Sequence, residues 1–267
     1  MFTQYFGLKF NPFSKELDEK DIYMSKDSKE LVSRLEYIKR TKGFFLLTAE
    51  SGFGKTTVLR KFSGALNPGL FKVCYSALSS LTVMDFYRSL VFRMGETPAY
   101  QKIRMFEQLQ RLIYDSYYEK KVTPVFILDE AQSLSGGVLE DLRMIFNFKM
   151  DSENPFITII AGNPNIRRKL QLSVNQALRQ RITGNYHMTG LSRVEIGDYI
   201  SSRLVLAGAP DTKIFTDAAL ESLFASSGGA LRLVNTLAAA SLTCACSRNL
   251  NAVDEEIVFQ ADRDIEI

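Results

Sequence analysis

Histidine and cysteine, the side chains that build most transition-metal sites, are scarce in this sequence. The 267 residues include one histidine, His187, and three cysteines, Cys74, Cys244 and Cys246. One histidine cannot assemble a metal centre, and Cys244 and Cys246 have no other cysteine or histidine nearby in the sequence. We therefore expect His187 to be structural and these two cysteines to be small core residues. An odd number of cysteines without an export signal fits a reducing compartment.

Long hydrophobic runs are also missing. No apolar stretch approaches the roughly 18–20 residues needed to span a bilayer, and the longest candidate, residues 231–247, is interrupted by Arg232 and Asn235. The first residues (MFTQYFGLKFNPF) lack the basic start and apolar core of a signal peptide. With 46% hydrophobic and 24% charged residues, the composition is that of a globular protein. These features predict a cytoplasmic protein with no membrane partner.

Neither sign of charge is in large excess, since the formal net charge is +3, but the charges are unevenly distributed. Residues 1–191 carry 27 basic and 19 acidic side chains, a net charge of +8, whereas residues 192–267 carry 6 and 11, a net charge of −5. The basic part can attract an anionic partner, and the opposite charges can favour head-to-tail contacts between subunits. An ordinary solvated surface would explain the same numbers.

Short apolar runs alternate with helical patterns over residues 1–191. Five runs have strand character, at residues 43–50, 71–77, 123–131, 155–162 and 185–191. Three are almost continuously apolar, as expected of parallel strands covered on both faces. After Leu191 only helical patterns follow, with starts predicted at Ser192 and Thr216 and ends at Gly208 and at residues 228–229. The sequence thus predicts an α/β domain over residues 1–191, built on a parallel five-stranded sheet flanked by helices, and a small all-helical domain over residues 192–267.

A glycine-rich loop joins the first strand to a helix within residues 47–62 (LTAESGFGKTTVLRKF). It nearly matches the phosphate-binding pattern G-x-x-x-x-G-K-[ST], with Ala49 in place of the first glycine. Such a loop curls around phosphate at a helix N-terminus, and Ala49 is tolerated if its φ stays negative. Lys55 would supply charge to the phosphates and Thr56 a hydroxyl to Mg²⁺. The predicted nucleotide-binding residues are Glu50, Ser51, Gly52, Phe53, Gly54, Lys55, Thr56 and Thr57.

Polar side chains follow the third and fourth strands. The run VFILDEAQ delivers Asp129 and Glu130 to the carboxyl edge of the sheet, where α/β proteins bind ligands. Asp129 would hold Mg²⁺, and Glu130 would position the attacking water, because phosphoryl transfer depends mainly on placement and charge. Asn163, at the end of the fourth strand, would lie beside the phosphates and orient the same water.

Three arginines complete the candidate set. Arg179 and Arg181 lie just before the fifth strand, and Arg232 begins a helix of the C-terminal part. A guanidinium group suits the dispersed charge of a phosphoryl group, and such a finger can come from a neighbouring subunit. Taken singly, each arginine would be read as a surface charge.

The order of these residues resembles that of AAA+ ATPases, and in particular the group that contains the ExeA-type secretion ATPases and the TnsC- and MuB-type transposition regulators. The stretches that carry the resemblance span nearly the whole chain and are YFGLKFNPF, GFFLLTAESGFGKTT, FILDEAQ, LEDLRMIFNFKMDS, AGNPNIRRKL, LRQRI, YISSRLVLAG and SGGALRLVN. The resemblance implies that ATP and Mg²⁺ bind, with Walker A at Lys55 and Thr56. It implies Walker B at Asp129, with Glu130 as the catalytic base.

The resemblance also assigns the remaining polar residues. It implies sensor 1 at Asn163, an arginine finger at Arg181 and sensor 2 at Arg232. Residues 192–267 would be a lid, and the N-terminal segment 1–42 would pack near the nucleotide. Besides Ala49, one departure is the sequence GGALR in place of the commoner Gly-Asn-Pro-Arg, which retains Arg232.

The family covers more than one function. Secretion members continue past the ATPase into a membrane span and an envelope domain, whereas this sequence ends at Ile267 without either. We therefore expect a regulator of DNA transposition that forms a homo-oligomer, either a ring or a helical filament. It would bind double-stranded DNA without sequence preference and recruit or activate a transposase. The alternatives are an ATPase that energises secretion or envelope assembly and an ATP-controlled adaptor that binds only protein.

We expect the residues that contact DNA to lie after the second strand. Members that bind DNA contact its backbone with elements from this region, which here contains Lys102, Arg104, Arg88 and Arg93. Thr82 could add a hydrogen bond to a phosphate. The same residues would also suit the solvated faces of amphipathic helices.

Overall fold

A computed structural model describes residues 2–16, 18–77 and 82–265. Its strands are β1 (Gly43–Thr48), β2 (Phe71–Ala77), β3 (Thr123–Asp129), β4 (Ile157–Gly162) and β5 (Ile182–His187). Its α-helices are α1 (Phe2–Tyr5), α2 (Lys26–Thr41), α3 (Lys55–Gly64), α4 (Val83–Arg93), α5 (Lys102–Tyr114), α6 (Gly136–Ile145), α7 (Asn165–Gln171), α8 (Gln176–Gln180), α9 (Arg193–Leu206), α10 (Asp217–Ser227), α11 (Leu231–Ser247) and α12 (Glu255–Ile265).

The five strands form one parallel sheet in the order β2-β3-β4-β1-β5. Every residue of the three central strands is buried, whereas the edge strands β2 and β5 are partly exposed. This confirms the predicted parallel sheet, because only strands covered on both faces can remain apolar along their whole length. The order places β4 between β1 and β3, so the carboxyl ends of these three strands are neighbours.

The predicted fifth strand begins three residues and ends four residues later than the observed strand. The sequence indicated residues 185–191, but β5 covers Ile182–His187. Gly184 lies within the strand, where an added β-carbon would be 2.9 Å from the ring of Phe45. Glycine is therefore used here for close packing against β1 rather than for a turn.

Two compact units are defined by contacts within the chain. One comprises Glu30–Glu50 and Val58–Met188, and the other comprises Met1–Lys29, Ser51–Thr57 and Thr189–Ile267. The sheet unit has an aromatic centre in which Phe44 meets Phe146 and Phe156 edge-on, with ring centroids 5.6 and 5.3 Å apart. The same core includes Cys74 of the edge strand β2 and buried residues of α4, α5 and α6.

The helical unit brings both ends of the chain together. In the N-terminal segment, the N–H of Lys9 donates to the carbonyl of Ala207, and the N–H of Lys26 donates to the carboxylate of Glu195, at 2.9 and 2.7 Å. Phe13 packs edge-on against Phe215, with ring centroids 6.3 Å apart. These contacts explain why the first residues share a core with α9 to α12.

The helices of the C-terminal part begin and end at the predicted signals. Ser192 is the N-cap of α9 and Thr216 is the N-cap of α10, where its hydroxyl accepts from the N–H of Ala219. Gly228 ends α10 with a left-handed φ of 56°. Among the described residues, no helix is long and apolar enough to cross a membrane.

Candidate nucleotide site

The glycine-rich loop leaves the end of β1 and enters α3 at Lys55. Ala49 has a negative φ, and its N–H extends the sheet by donating to the carbonyl of Gly162 at 3.1 Å. Gly52 and Gly54 have φ values of +85° and +92°, which side-chain-bearing residues rarely adopt. The structure therefore confirms that alanine is compatible with residue 49 and that glycine is required at residues 52 and 54.

The loop presents a mixture of buried and exposed groups. Lys55 is buried with 7% of its surface exposed, although a charged lysine normally stays in water. The exposed members of the predicted set are Glu50, Ser51 and Thr56, and the half-buried members are Gly52, Phe53, Gly54 and Thr57. A buried ammonium at a helix N-terminus combines two sources of positive potential, which is the chemistry that phosphate requires.

The N-terminus of α11 lies against this loop, in the same compact unit. The N–H of Arg232 donates to the carbonyl of Gly52 at 3.1 Å, and its guanidinium donates to the hydroxyl of Ser51 at 3.3 Å. An added β-carbon at Gly54 would lie 2.8 Å from the side chain of Leu231, so glycine also permits this approach. The structure thus brings Arg232 to the loop residues predicted from the sequence.

The glycine pair before α11 has its own structural reason. Gly229 has a φ of +81°, and an added β-carbon would lie 2.1 Å from the carbonyl oxygen of Leu191. Gly190 is similarly restricted, because a β-carbon there would lie 2.5 Å from the carbonyl oxygen of Gly229. The sequence GGALR therefore allows two backbone segments to touch just before Arg232.

The end of β3 carries the predicted acidic pair. Asp129 is buried, and its two carboxylate oxygens accept from the N–H of Glu130 at 2.9 Å and from the hydroxyl of Tyr75 at 3.1 Å. Burial and the neighbouring Asp129 carboxylate raise the pKa of Tyr75 to about 12, so the phenol remains a donor at neutral pH. Glu130 is exposed and has a left-handed φ of 56°, a strained conformation of the kind that clusters at functional sites.

One residue in this part of the sheet was missed by the sequence reasoning. Gln132 donates to the carboxylate of Glu130 at 2.6 Å and accepts from the N–H of Asn163 at 3.0 Å. Asn163 itself uses its side-chain oxygen to accept from the N–H of Asn165, at the start of α7. The only available signal was the glutamine two residues after Glu130, and a pairing across strands cannot be read from that spacing.

The two arginines before β5 have different surroundings. Arg181 donates to the carbonyl of Arg143, in α6, at 2.7 Å and is half-buried. Arg179 is exposed and lies two residues earlier, in the last turn of α8. Arg181 therefore has a more restricted orientation than Arg179.

Four of the five residues chosen for DNA contact have partners within the chain. Thr82 caps α4 by accepting from the N–H of Asp85, and Arg88 pairs with the same aspartate at 3.1 Å. Lys102 donates to the largely buried Asp141 at 2.9 Å. In addition, Arg104 pairs with Glu107 at 3.2 Å, and Arg93 lies exposed in the last turn of α4.

Comparisons with known proteins agree with this architecture. A family model described as an AAA domain matches residues 38–170. General secretion pathway protein A of Aeromonas hydrophila is 35% identical over 257 residues, which cover 95% of this chain and 46% of that protein. An uncharacterized HTH-type transcriptional regulator of Methanocaldococcus jannaschii is 26% identical over 197 residues, covering 72% of this chain and 47% of that protein. The chain thus spans about half the length of the curated relatives that it matches.

Solved structures show the same fold at low sequence identity. Cdc6p from Pyrobaculum aerophilum gives a TM-score of 0.70 at 15% identity, covering 95% of this chain and 70% of that one. ORC2 from Aeropyrum pernix, solved as complexes with ADPNP and ADP, gives a TM-score of 0.68 at 16% identity, covering 96% of this chain and 71% of that one.

These comparisons define the class of the protein. The chain carries an AAA domain, matched over residues 38–170, and has the AAA+ P-loop fold. General secretion pathway protein A, which matches 95% of this chain, is named for a secretion pathway. This supports the predicted resemblance to the ExeA-type secretion ATPases. None of the relatives named here is a transposition regulator.

Proposed function

We propose that ATP binds at residues 50–57, with Lys55 holding the terminal phosphates. In this proposal Glu130 orients the attacking water, and Asn163 helps to orient the same water. Arg232 acts as sensor 2 and contacts the bound nucleotide. Residues 192–267 act as the lid of the site. The contacts of Arg232 with Ser51 and Gly52 support this arrangement, because they link the lid directly to the loop.

The side chains proposed as magnesium ligands fit that ion. Mg²⁺ prefers oxygen ligands and usually keeps several waters while binding one or two carboxylates and substrate phosphates. Asp129 offers a buried carboxylate whose two oxygens accept hydrogen bonds from the N–H of Glu130 and the hydroxyl of Tyr75. Thr56 offers an exposed hydroxyl at the start of α3. When bound, Mg²⁺ would neutralise charge on the phosphates.

We further propose that ATP hydrolysis by this chain drives a step of protein secretion or envelope assembly. The observation that carries this proposal is the 35% identity to General secretion pathway protein A across 95% of the chain. Transposition regulation, the function expected first from the sequence, has no comparable support among these relatives. The protein-only adaptor differs from the secretion proposal because its partner would respond to bound ATP and not to hydrolysis.

A domain exchange tests the secretion proposal. The chain would replace the matching segment of General secretion pathway protein A in Aeromonas hydrophila, and secretion of exported proteins would be measured. We expect the parent chain to restore secretion and a Lys55→Ala chimera, produced at the same level, to fail. If a stable chimera that hydrolyses ATP restores nothing, the secretion proposal is wrong. Restoration by a Glu130→Gln chimera that binds ATP but cannot hydrolyse it would favour the adaptor.

Binding to double-stranded DNA remains a second candidate because the first 191 residues carry a net charge of +8. Backbone binding would be sequence-tolerant and would weaken steeply with salt, since each neutralised phosphate releases counterions. Fluorescence anisotropy of a labelled duplex, with and without a non-hydrolysable ATP analogue, measures this. The variant Arg93→Ala tests the exposed candidate, whereas Lys102→Ala also leaves Asp141 without its ion pair and requires a stability control. Absence of binding at micromolar protein would exclude the transposition function.

A further inference from the structure

We propose that Gln132 is a positioning residue for ATP hydrolysis, holding the carboxylate of Glu130 in place. Its side chain connects two elements of the sheet unit, the turn after β3 and the end of β4. The amide donates to Glu130 Oε2 at 2.6 Å and accepts from the N–H of Asn163 at 3.0 Å. This inference rests on the proposed role of Glu130 as the residue that orients water.

The chemistry of the two partners allows only one orientation of the Gln132 amide. A carboxylate can only accept hydrogen bonds, and a backbone N–H can only donate one. The amide nitrogen must therefore face Glu130 and the amide oxygen must face Asn163. Rotating the amide would break both bonds, so the side chain is oriented by the two groups that it connects.

The surroundings of Gln132 favour this position. Lys169, in α7, donates to the carbonyls of Gln132 and Leu134 at 2.5 and 2.8 Å and so fixes the turn from which the side chain projects. An added β-carbon at Gly162 would lie 2.6 Å from the amide oxygen of Gln132 and 3.2 Å from its backbone nitrogen. Glycine at the end of β4 therefore leaves the space that the bridge occupies.

The bridge leaves Glu130 Oε1 available for water while Oε2 is held. Glu130 is exposed, and an exposed glutamate without such a contact would sample several rotamers. Since a displacement of about 1 Å can lower a rate about 100-fold, fixing the carboxylate should raise kcat without changing ATP affinity. Attachment to Asn163 also ties the position of Glu130 to the end of β4.

The test combines three substitutions in a double-mutant cycle. Gln132→Ala should lower kcat about 10- to 100-fold and leave the Kd of an ATP analogue nearly unchanged. Gln132→Glu keeps the acceptor for Asn163 but places a second carboxylate beside Glu130, so the loss should be at least as large. In a Glu130→Gln background, Gln132→Ala should have almost no further effect, because both changes remove one function. Ser133→Ala, at the next exposed position, is the matched control.

The outcomes distinguish failure of this inference about Gln132 from failure of the proposed role of Glu130. Normal turnover by Glu130→Gln would overturn the role of Glu130 and the inference with it. Loss of turnover in Glu130→Gln with normal turnover in Gln132→Ala would overturn the inference alone. If the kcat losses of the two single variants multiply in the double variant, Gln132 acts independently of Glu130 and has a structural role instead. A loss of unfolding free energy in Gln132→Ala large enough to account for its kcat loss would lead to the same conclusion. In Gly162→Ala the added β-carbon would push away the amide oxygen of Gln132. This variant should therefore reproduce the kcat loss of Gln132→Ala.

Discussion

At the scale of single residues, the two carboxylates after β3 have different environments and therefore different expected roles. Asp129 is buried and accepts hydrogen bonds from Tyr75 and from the N–H of Glu130, whereas the side chain of Glu130 is exposed and held by Gln132. A fixed buried carboxylate suits a metal, and an exposed oriented one suits water. Substitution should thus separate nucleotide binding from turnover at these two positions.

Glu130→Gln should bind ATP normally and lose most turnover. The amide keeps the size of the side chain but removes the charge that polarises water, and loss of one such group typically lowers kcat about 100- to 1,000-fold. Phosphate release and titration with a fluorescent ATP analogue measure the two properties. Phosphate release near the parent rate would assign the base to another residue.

Tyr75→Phe should weaken the support of Asp129 while preserving the aromatic ring. The variant loses one hydrogen bond to a carboxylate, which we expect to lower the free energy of unfolding by about 1–2 kcal/mol. Urea unfolding followed by circular dichroism measures the change. Tyr114→Phe, at another exposed tyrosine, is a suitable control, and equal stability of the two variants would remove the supporting role.

Some of these residues were predictable and others were not. Ala49, Gly52 and Gly54 follow from backbone conformation alone, which depends on residue type. Gln132 and Tyr75 meet their partners from other parts of the sheet, through contacts that depend on strand order and register. A single sequence contains no direct record of such pairs.

At the scale of elements, the start of α9 is held by a capping box that also anchors the N-terminal segment. Glu195 accepts from the N–H and hydroxyl of Ser192 at 3.1 and 2.6 Å, and from the N–H of Lys26 at 2.7 Å. Burial raises the pKa of Glu195, but these hydrogen bonds outweigh it, so the pKa lies below its ordinary value of 4.5.

The stability that Glu195 provides should disappear in acid. Because its folded-state pKa is lowered, the carboxylate stabilises the fold above its ordinary pKa of 4.5, and this contribution is lost as the pH falls through the folded-state pKa. Glu195→Gln should lower the unfolding free energy at neutral pH by about 1–2 kcal/mol and flatten its dependence on pH in acid. Urea unfolding across this pH range measures both, with Glu221→Gln as an exposed control. Parallel pH curves for parent and Glu195→Gln would contradict the assignment.

Element boundaries were predictable where a local signal existed. Thr216 begins a helix because its hydroxyl accepts from the N–H of Ala219, and Ser192 begins one through its capping box with Glu195. The position of β5 was not predictable in the same way, since Gly184 is selected by the ring of Phe45 in a neighbouring strand. Local signals therefore located helix starts better than they located an edge strand.

At the scale of the whole molecule, Arg181 is proposed to act on the nucleotide of a neighbouring subunit. An arginine supplied in trans makes hydrolysis depend on assembly. Turnover per subunit should therefore rise with protein concentration, and mixing Arg181→Ala with Lys55→Ala should recover part of the activity that each lacks. Phosphate release from the separate and mixed variants measures this.

Failure of the mixed variants would be equally informative. Concentration-independent turnover without complementation would indicate that Arg181 acts within its own subunit, or that Arg179 is the finger. Arg179→Ala mixed with Lys55→Ala separates these two explanations. The structure of one chain does not contain its partner proteins, so the similarity to General secretion pathway protein A is the main guide to what they are.

The meeting of the two chain ends in one compact unit has a consequence for synthesis. A ribosome produces residues 2–29 before the sheet unit, but the helices that cover them, α9 to α12, emerge after it. Phe6, Leu8 and Phe13, which are buried in that shared core, therefore stay uncovered while the whole sheet unit is translated. Chains that stop before α12 would expose these apolar side chains, which makes interrupted translation a source of aggregation and of substrates for chaperones.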